Sequence, residues 1–202
     1  MRYALPIVLG VGAVLAPAAA LAHFILHAPA ATLEQNALGD PQKLGPCGGT
    51  TPNPGKPTGA VTEVKGGESV HIKIQETIYH PGHYRVALAV KDLKELPADP
   101  ETVTRETPRG PYSVSAKIDP APKAPVLADG LFVHTTRPAA GTFFETDIKV
   151  PNINCTACTL QVIQWMAEHG LNTDGDFSYH HCATLKITAD PSKPIDKAWP
   201  GQ

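Results

Sequence analysis

Apolar and polar residues alternate along most of the chain with the two-residue period of a strand. In the stretch 69–75, Val70, Ile72 and Ile74 fall on one face and Ser69, His71, Lys73 and Gln75 on the other, which predicts a half-buried strand. Residues 61–64 read the same way, and 84–90 form a longer apolar run. Ahead of these stand a short apolar segment, His23-Phe24-Ile25-Leu26, and a loop region over 28–59 rich in Gly, Pro, Thr and Asn. Residues 92–125 are Pro-rich and mixed in charge, and read as a long surface excursion. Strand patterns resume over 131–134, 142–150, 158–166 and 182–188, each bounded by Gly, Pro or Asn, with no amphipathic helix between them. Roughly seven or eight short strands at this spacing predict an all-β fold, an antiparallel β-sandwich of the immunoglobulin or fibronectin type III kind with long loops. The sandwich domain is expected over 23–190, and 191–202 read as a loose, Pro-containing tail.

Composition agrees with many turns, since 21 Pro and 17 Gly are spread through the 202 residues rather than clustered. Lys and Arg number 17 against 19 Asp and Glu, a net charge of -2, so there is no positive field to hold a phosphate backbone and nucleic acid is not an expected partner. The front of the chain differs from the rest. Met1-Arg2 is followed by an uncharged apolar run from Ala4 to Leu15, and Ala20-Leu21-Ala22 fits a small-x-small cleavage pattern, so 1–22 read as a secretory signal peptide. Pro6 and Pro17 interrupt the run and argue against a membrane anchor. The expectation is a secreted or periplasmic protein, free of the membrane after cleavage and monomeric, whose remaining roughly 180 residues can bury one core unaided.

Export changes the meaning of the 4 cysteines, because an oxidising compartment favours disulfides over free thiols or thiolate metal sites. Cys155 and Cys158 form a C-x-x-C, with Cys47 and Cys182 far away on either side. A zinc knuckle needs a second close pair, and a redox-active C-x-x-C needs a βαβ context; the sequence has neither. Pairing Cys155 with Cys158 leaves Cys47 with Cys182.

The 9 histidines matter more by position than by number. Cleavage after Ala22 would make His23 the first residue, offering an α-amine and an imidazole together. An α-amine of pKa about 8 loses its proton to a metal at small cost, so the amine and Nδ1 can chelate one ion. A second imidazole completes a three-nitrogen set suited to copper in both oxidation states. His80 is the expected partner, because Pro81-Gly82 forces a turn directly after it and places it on a loop at one end of the sandwich. His83 is its rival, read here as a solvated residue beside the turn. Near the last strand, alternation puts Tyr179 and His181 on one face and His180 and Cys182 on the other, so Tyr179 can approach a metal from the end that carries His80.

The leader ending just before a histidine, the His-Pro-Gly turn into an apolar strand, and Tyr179-His180-His181-Cys182-Ala183 together resemble the lytic polysaccharide monooxygenases. The resemblance is closest to bacterial secreted proteins described as polysaccharide monooxygenase-like. It rests on the stretches 45–48 (GPCG), 76–88 (ETIYHPGHYRVAL), 95–99 (ELPAD), 126–130 (VLADG), 158–164 (CTLQVIQ) and 179–183 (YHHCA), in that order over nearly the whole chain after residue 22. It implies a fibronectin-like sandwich with one copper in a histidine brace: His23 giving amine and Nδ1, His80 the opposing imidazole, Tyr179 the axial position. Gln164 corresponds to the polar residue that lies beside the copper and orients oxygen species. A disulfide from the early loop to the Cys of the Tyr-x-x-Cys stretch is a family habit and agrees with Cys47 pairing to Cys182. The implied reaction uses an external electron donor and oxygen or peroxide to hydroxylate C1 or C4 of a glycosidic linkage in a polysaccharide such as chitin or cellulose, whereupon the link breaks. The alternative on the same fold is a copper-binding or copper-trafficking protein without sugar chemistry. His180 and His181 depart from the family's usual residues and stand as competing ligands, with His134 a further residue able to support the site. The chain has only 2 tryptophans, and no flat aromatic platform for crystalline sugar is evident.

Overall fold

The computed structural model describes residues 23–172 and 174–200; the leader expected over 1–22 lies outside them. In chain order the strands are β1 (His23–Ala28), β2 (Val61–Lys65), β3 (Ser69–Ile78), β4 (Gly82–Ala89), β5 (Thr102–Thr107), β6 (Gly110–Ala116), β7 (Val126–His134), β8 (Phe144–Lys149), β9 (Cys155–Met166) and β10 (Ser178–Thr188). A short 3-10 turn at Leu93–Glu95 is the helical element among the described residues. One sheet has the order β1-β3-β8 and a second the order β2-β10-β9-β4-β7, while β5 and β6 form a separate hairpin. The two larger sheets pack as an all-β sandwich. Its core is the face the alternation picks out: Phe24 and Leu26 of β1 and Val70, Ile72 and Ile74 of β3 share one buried cluster with Tyr84, Val86 and Leu88 of β4, Leu160 and Val162 of β9 and Ala183, Leu185 and Ile187 of β10.

The structure departs from the sequence reading in three places. The region 92–125 is a cover rather than a free excursion. Trp165 Nε1 donates to Thr102 Oγ1 (2.9 Å), the Arg85 guanidinium to the Ala98 carbonyl (2.8 Å), and His180 Nε2 pairs with Asp99 (2.9 Å), so this segment closes over the outer face of the five-stranded sheet. All 8 residues of β4 are buried as a result. β5 has no apolar face, and β6 alternates Tyr112, Val114 and Ala116 with Ser113 and Ser115 but buries the opposite phase from the one the alternation picks out; its one buried residue is Ser113. Second, the expected antiparallel pairing holds except between β2 and β10, which run parallel from Val61↔Thr184 to Lys65↔Thr188. The chain between those strands crosses the whole domain, the kind of long connection that parallel pairing needs. Third, the tail is not loose. It forms no strand, but Trp199 is buried in the core, the Asn152 amide donates to the carbonyls of Asp190, Lys193 and Pro194, and Asp196 N donates to Asn152 O. An indole buries enough apolar surface to order a segment that has no ladder of its own.

Cys47 is bonded to Cys182 and Cys155 to Cys158, as expected. Among the described residues no helix is long and apolar enough to cross a membrane.

Candidate functional site

His23 opens β1 and is paired in register with Ile78 near the end of β3, and His80 lies two residues beyond β3, so both fall at one end of the sandwich. In the facing sheet Tyr179, Gln164 and Tyr84 form one cross-strand row at that same end, all fully buried toward the interior. Two glycines shape the approach. Gly39 has φ +98°, and a Cβ there would lie 1.9 Å from the Phe24 carbonyl oxygen, so only glycine lets this loop lie against β1 and deliver Asp40 to His23. At Gly82 a Cβ would lie 2.0 Å from the Trp165 carbonyl oxygen, which fixes the His80-Pro81 turn against β9.

His23 is 1% exposed, and its Nε2 stands 3.0 Å from Asp40 Oδ2. A carboxylate can only accept, so Nε2 carries the hydrogen and, in the neutral ring, Nδ1 carries the lone pair. The hydrogen bond to His23 is also the main reason the Asp40 carboxyl lies below its ordinary range. His80 is buried, and its Nε2 has no hydrogen-bond partner among the described residues. Burial first, then the neighbouring His169 and His23, push the His80 imidazole down to about 4, so it is neutral at physiological pH and able to ligate. The His23 and Tyr179 rings meet edge to face at 5.4 Å, and burial, followed by the Asp40 charge, raises the Tyr179 phenol above its ordinary range.

Sequence reasoning missed three members of this neighbourhood. His169 stands edge to face with His80 at 4.8 Å and lies 6.2 Å from the Tyr179 ring. Its Nδ1 donates to the Gly170 carbonyl at 2.5 Å. Asp40 holds His23 as described. Glu76, from the opposite sheet, accepts from Gln164 Nε2 (2.6 Å) and the His80 backbone N–H (3.3 Å), and faces His134 Nε2 at 3.3 Å. It ties the Gln164 row to the His80 turn. His169 had a signal in the chain: it follows by a few residues the strand that carries Gln164, and so must emerge at the same end. Glu76 opens the stretch 76–88 that leads into the His80 turn, though nothing in it singles out the glutamate, and Asp40, in a long loop, had no signal.

The remaining histidines sort by face. His83 is not solvated, contrary to the expectation. It is 3% exposed, stacked on Trp165 at 5.2 Å between the ring centroids on the outer face of its sheet, and burial lowers its pKa. The cover formed by 92–125, invisible to a local reading of a His beside a turn, buries it. His180 faces away from Tyr179 toward Asp99, as the alternation requires. His181 lies on Tyr179's side but is a core residue, donating from Nε2 to the Phe24 carbonyl (3.1 Å) with its ring against Phe24 at 4.7 Å.

Burial pushes the His181 imidazole down to about 4, against about 6.5 for an ordinary histidine. Below pH 6.5 the unfolded chain therefore takes up a proton that the native state refuses. The contribution is whole above pH 6.5 and is lost as pH falls toward 4. Between pH 7 and pH 5 this group should cost on the order of 1–2 kcal/mol of stability. Urea unfolding at the two pH values should show a loss for the wild type larger by that amount than for His181→Gln, which keeps a donor for Phe24 O but cannot titrate. Equal losses would place the buried charge penalty elsewhere.

No family model and no curated protein matches the chain. Among the described residues no group of three or more His, Cys, Asp or Glu side chains converges to hold a metal ion. A histidine brace asks for less: two imidazoles and the amine of a first residue. The donor set fits that demand in chemistry, because the hydrogen bond from Nε2 to Asp40 leaves the lone pair of the neutral His23 ring on Nδ1, and His80 offers a buried, neutral Nε2.

Proposed function

We propose that the protein, once cut after Ala22 and exported, binds one copper ion in a histidine brace and acts as a lytic polysaccharide monooxygenase-like oxidoreductase. The observation that carries the reading is the Asp40–His23 hydrogen bond at 3.0 Å. It holds the one tautomer of His23 in which Nδ1, the atom that can chelate together with the α-amine, bears the lone pair. A carboxylate behind a ligating histidine is the usual means of fixing such a ring. His23 would supply the amine and Nδ1, His80 would supply Nε2, and Tyr179, its ring against His23, would stand beside the ion. Copper held there would supply one-electron redox chemistry toward oxygen or peroxide, drawing on an external electron donor. The protein's own part is geometric. Glu76 holds the Gln164 amide through Nε2 and leaves its Oε1, buried with no partner among the described residues, as an acceptor in that layer. The two disulfides support an oxidising, extracytoplasmic setting.

A second reading, a copper-binding or trafficking protein without sugar chemistry, is favoured by one observation. Trp165 and Trp199 are 4% and 6% exposed, so neither tryptophan can serve as a platform for crystalline sugar. Two measurements test the pair. Calorimetry should show one tight Cu(II) site on protein beginning at His23 and a much weaker one when any residue is left in front; equal affinity would sink the brace. Product analysis on chitin and cellulose with a reductant should then show oxidised oligosaccharides, and their absence from copper-loaded protein would leave the trafficking reading.

A further inference from the structure

The segment 166–170, which carries His169, has almost no ladder of its own beyond the end of β9. A buried residue from a distant hairpin makes several of the hydrogen bonds that hold it. Ser113 of β6 is fully buried, and its backbone and side chain are spent on this segment. Its N–H donates to the His169 carbonyl (2.9 Å) and its carbonyl accepts from Glu168 N (2.9 Å). Its hydroxyl donates to the Met166 carbonyl (2.7 Å), with the His169 carbonyl also in reach at 3.2 Å, and accepts from His169 N (3.1 Å). Beside it Tyr112 bridges to Gly170, and Arg105 pairs with the Glu168 carboxylate. On the other side Ala167 N donates to the Pro81 carbonyl (2.7 Å), joining the segment to the His80 turn. Glu168 has φ +52°, left-handed backbone that a glutamate keeps only when its surroundings over-determine it.

The hairpin does not need Ser113 to stay in place. Its own ladder and the Lys117–Glu101 backbone bond give it its shape, and the Thr102–Trp165 hydrogen bond ties it to β9. The element that needs Ser113 is the strained turn that ends in His169. We propose that the β5–β6 hairpin is a clamp for the candidate centre, and that Ser113 is a positioning residue that sets the His169 ring against His80. This deepens the copper reading and rests on it for its purpose, though the placement of His169 can be read without metal.

The test uses protein beginning at His23 with three variants, Ser113→Ala, Ser113→Thr and His169→Ala, each checked by thermal melting. In metal-free protein, NMR should show the His80 ring-proton resonances moving in Ser113→Ala in the same direction as in His169→Ala, with faster amide exchange at Glu168 and His169. Ser113→Thr, which keeps the hydroxyl, should restore both. With Cu(II), Ser113→Ala should bind more weakly, by less than the roughly 10 to 100-fold that removal of a direct partner of a ligand costs, with altered paramagnetic resonance parameters. Unmoved His80 resonances in a folded Ser113→Ala would overturn the clamp, as would failure of the threonine variant to restore them. If wild-type protein binds no copper, the metal reading falls and the NMR comparison alone decides the clamp.

Discussion

Replacing His80 with alanine should weaken Cu(II) binding to protein beginning at His23 by orders of magnitude and erase the three-nitrogen pattern from its paramagnetic resonance spectrum. In the proposed brace the substitution removes one of the three nitrogens that would hold the ion, whereas losing an outer partner of a ligand costs roughly 10 to 100-fold. The neighbouring histidines provide the controls. His83→Ala should keep the pattern, because that ring is stacked on Trp165 across the sheet from His23 and His80. His180→Ala should keep it too, because its ring is directed at Asp99. Tyr179→Phe should retain the metal and move only the axial parameters, since its phenol is buried beside His23 without being an equatorial nitrogen. The assignment fails if His83→Ala or His181→Ala is the variant that loses the signal.

Removing the Cys47–Cys182 bridge with a pair of alanines should be the most destabilising of the changes considered. The bond spans a sequence separation of 135, and the chain-entropy argument assigns a loop of about 100 residues or more up to ~4.7 kcal/mol. For a domain of this size that corresponds to a fall of roughly 10–20 °C in melting temperature. The same bond fastens the loop that carries Asp40 to the strand that carries Tyr179, so the candidate site should loosen along with the fold. Alanines at Cys155 and Cys158, which close a loop of sequence separation 3, should cost far less. Calorimetric melts of both pairs decide the matter. Equal losses would mean that backbone bonds such as Thr32 N to Cys182 O (2.7 Å) and His180 N to Gln42 O (2.7 Å) already hold the loop without help from the bridge.

What was legible in the chain follows from which forces are local. The alternation in β3 and the apolar runs of β4 and β9 report directly on which face is buried, and the sandwich follows. The inward row of Tyr179 with Gln164 is likewise a consequence of period-two geometry once strand ends are known. Burial imposed by a distant segment is another matter. His83 next to a Pro-Gly turn has every local feature of a solvated residue, and only the packing of 92–125 over the sheet makes it a stacked core ring. Trp199 was misjudged for the opposite reason, since its surroundings are polar and Pro-rich while its own side chain decides its fate. His169 was hidden because its placement depends on Ser113, more than fifty residues earlier in the chain, and Ser113 lies on the polar phase of its strand, which alternation assigns to solvent.

The parallel pairing of β2 with β10 bears on how the molecule comes into being. β10 occupies 178–188 of 202 residues and sits between β2 and β9. Until β10 has been made, more than a hundred residues after β2, β2 has no neighbour, β9 has an open edge, Cys47 has no partner and the Tyr179 side of the site does not exist. Contacts of such long range are reached slowly. The pairings of β1 with β3, of β3 with β8 and of β4 with β7 and β9 use residues that all precede β10, so most of both sheets can form before it exists. What waits is the closing of the five-stranded sheet and of the Tyr179 side of the site, which makes the last strand the step that commits the domain to its shape.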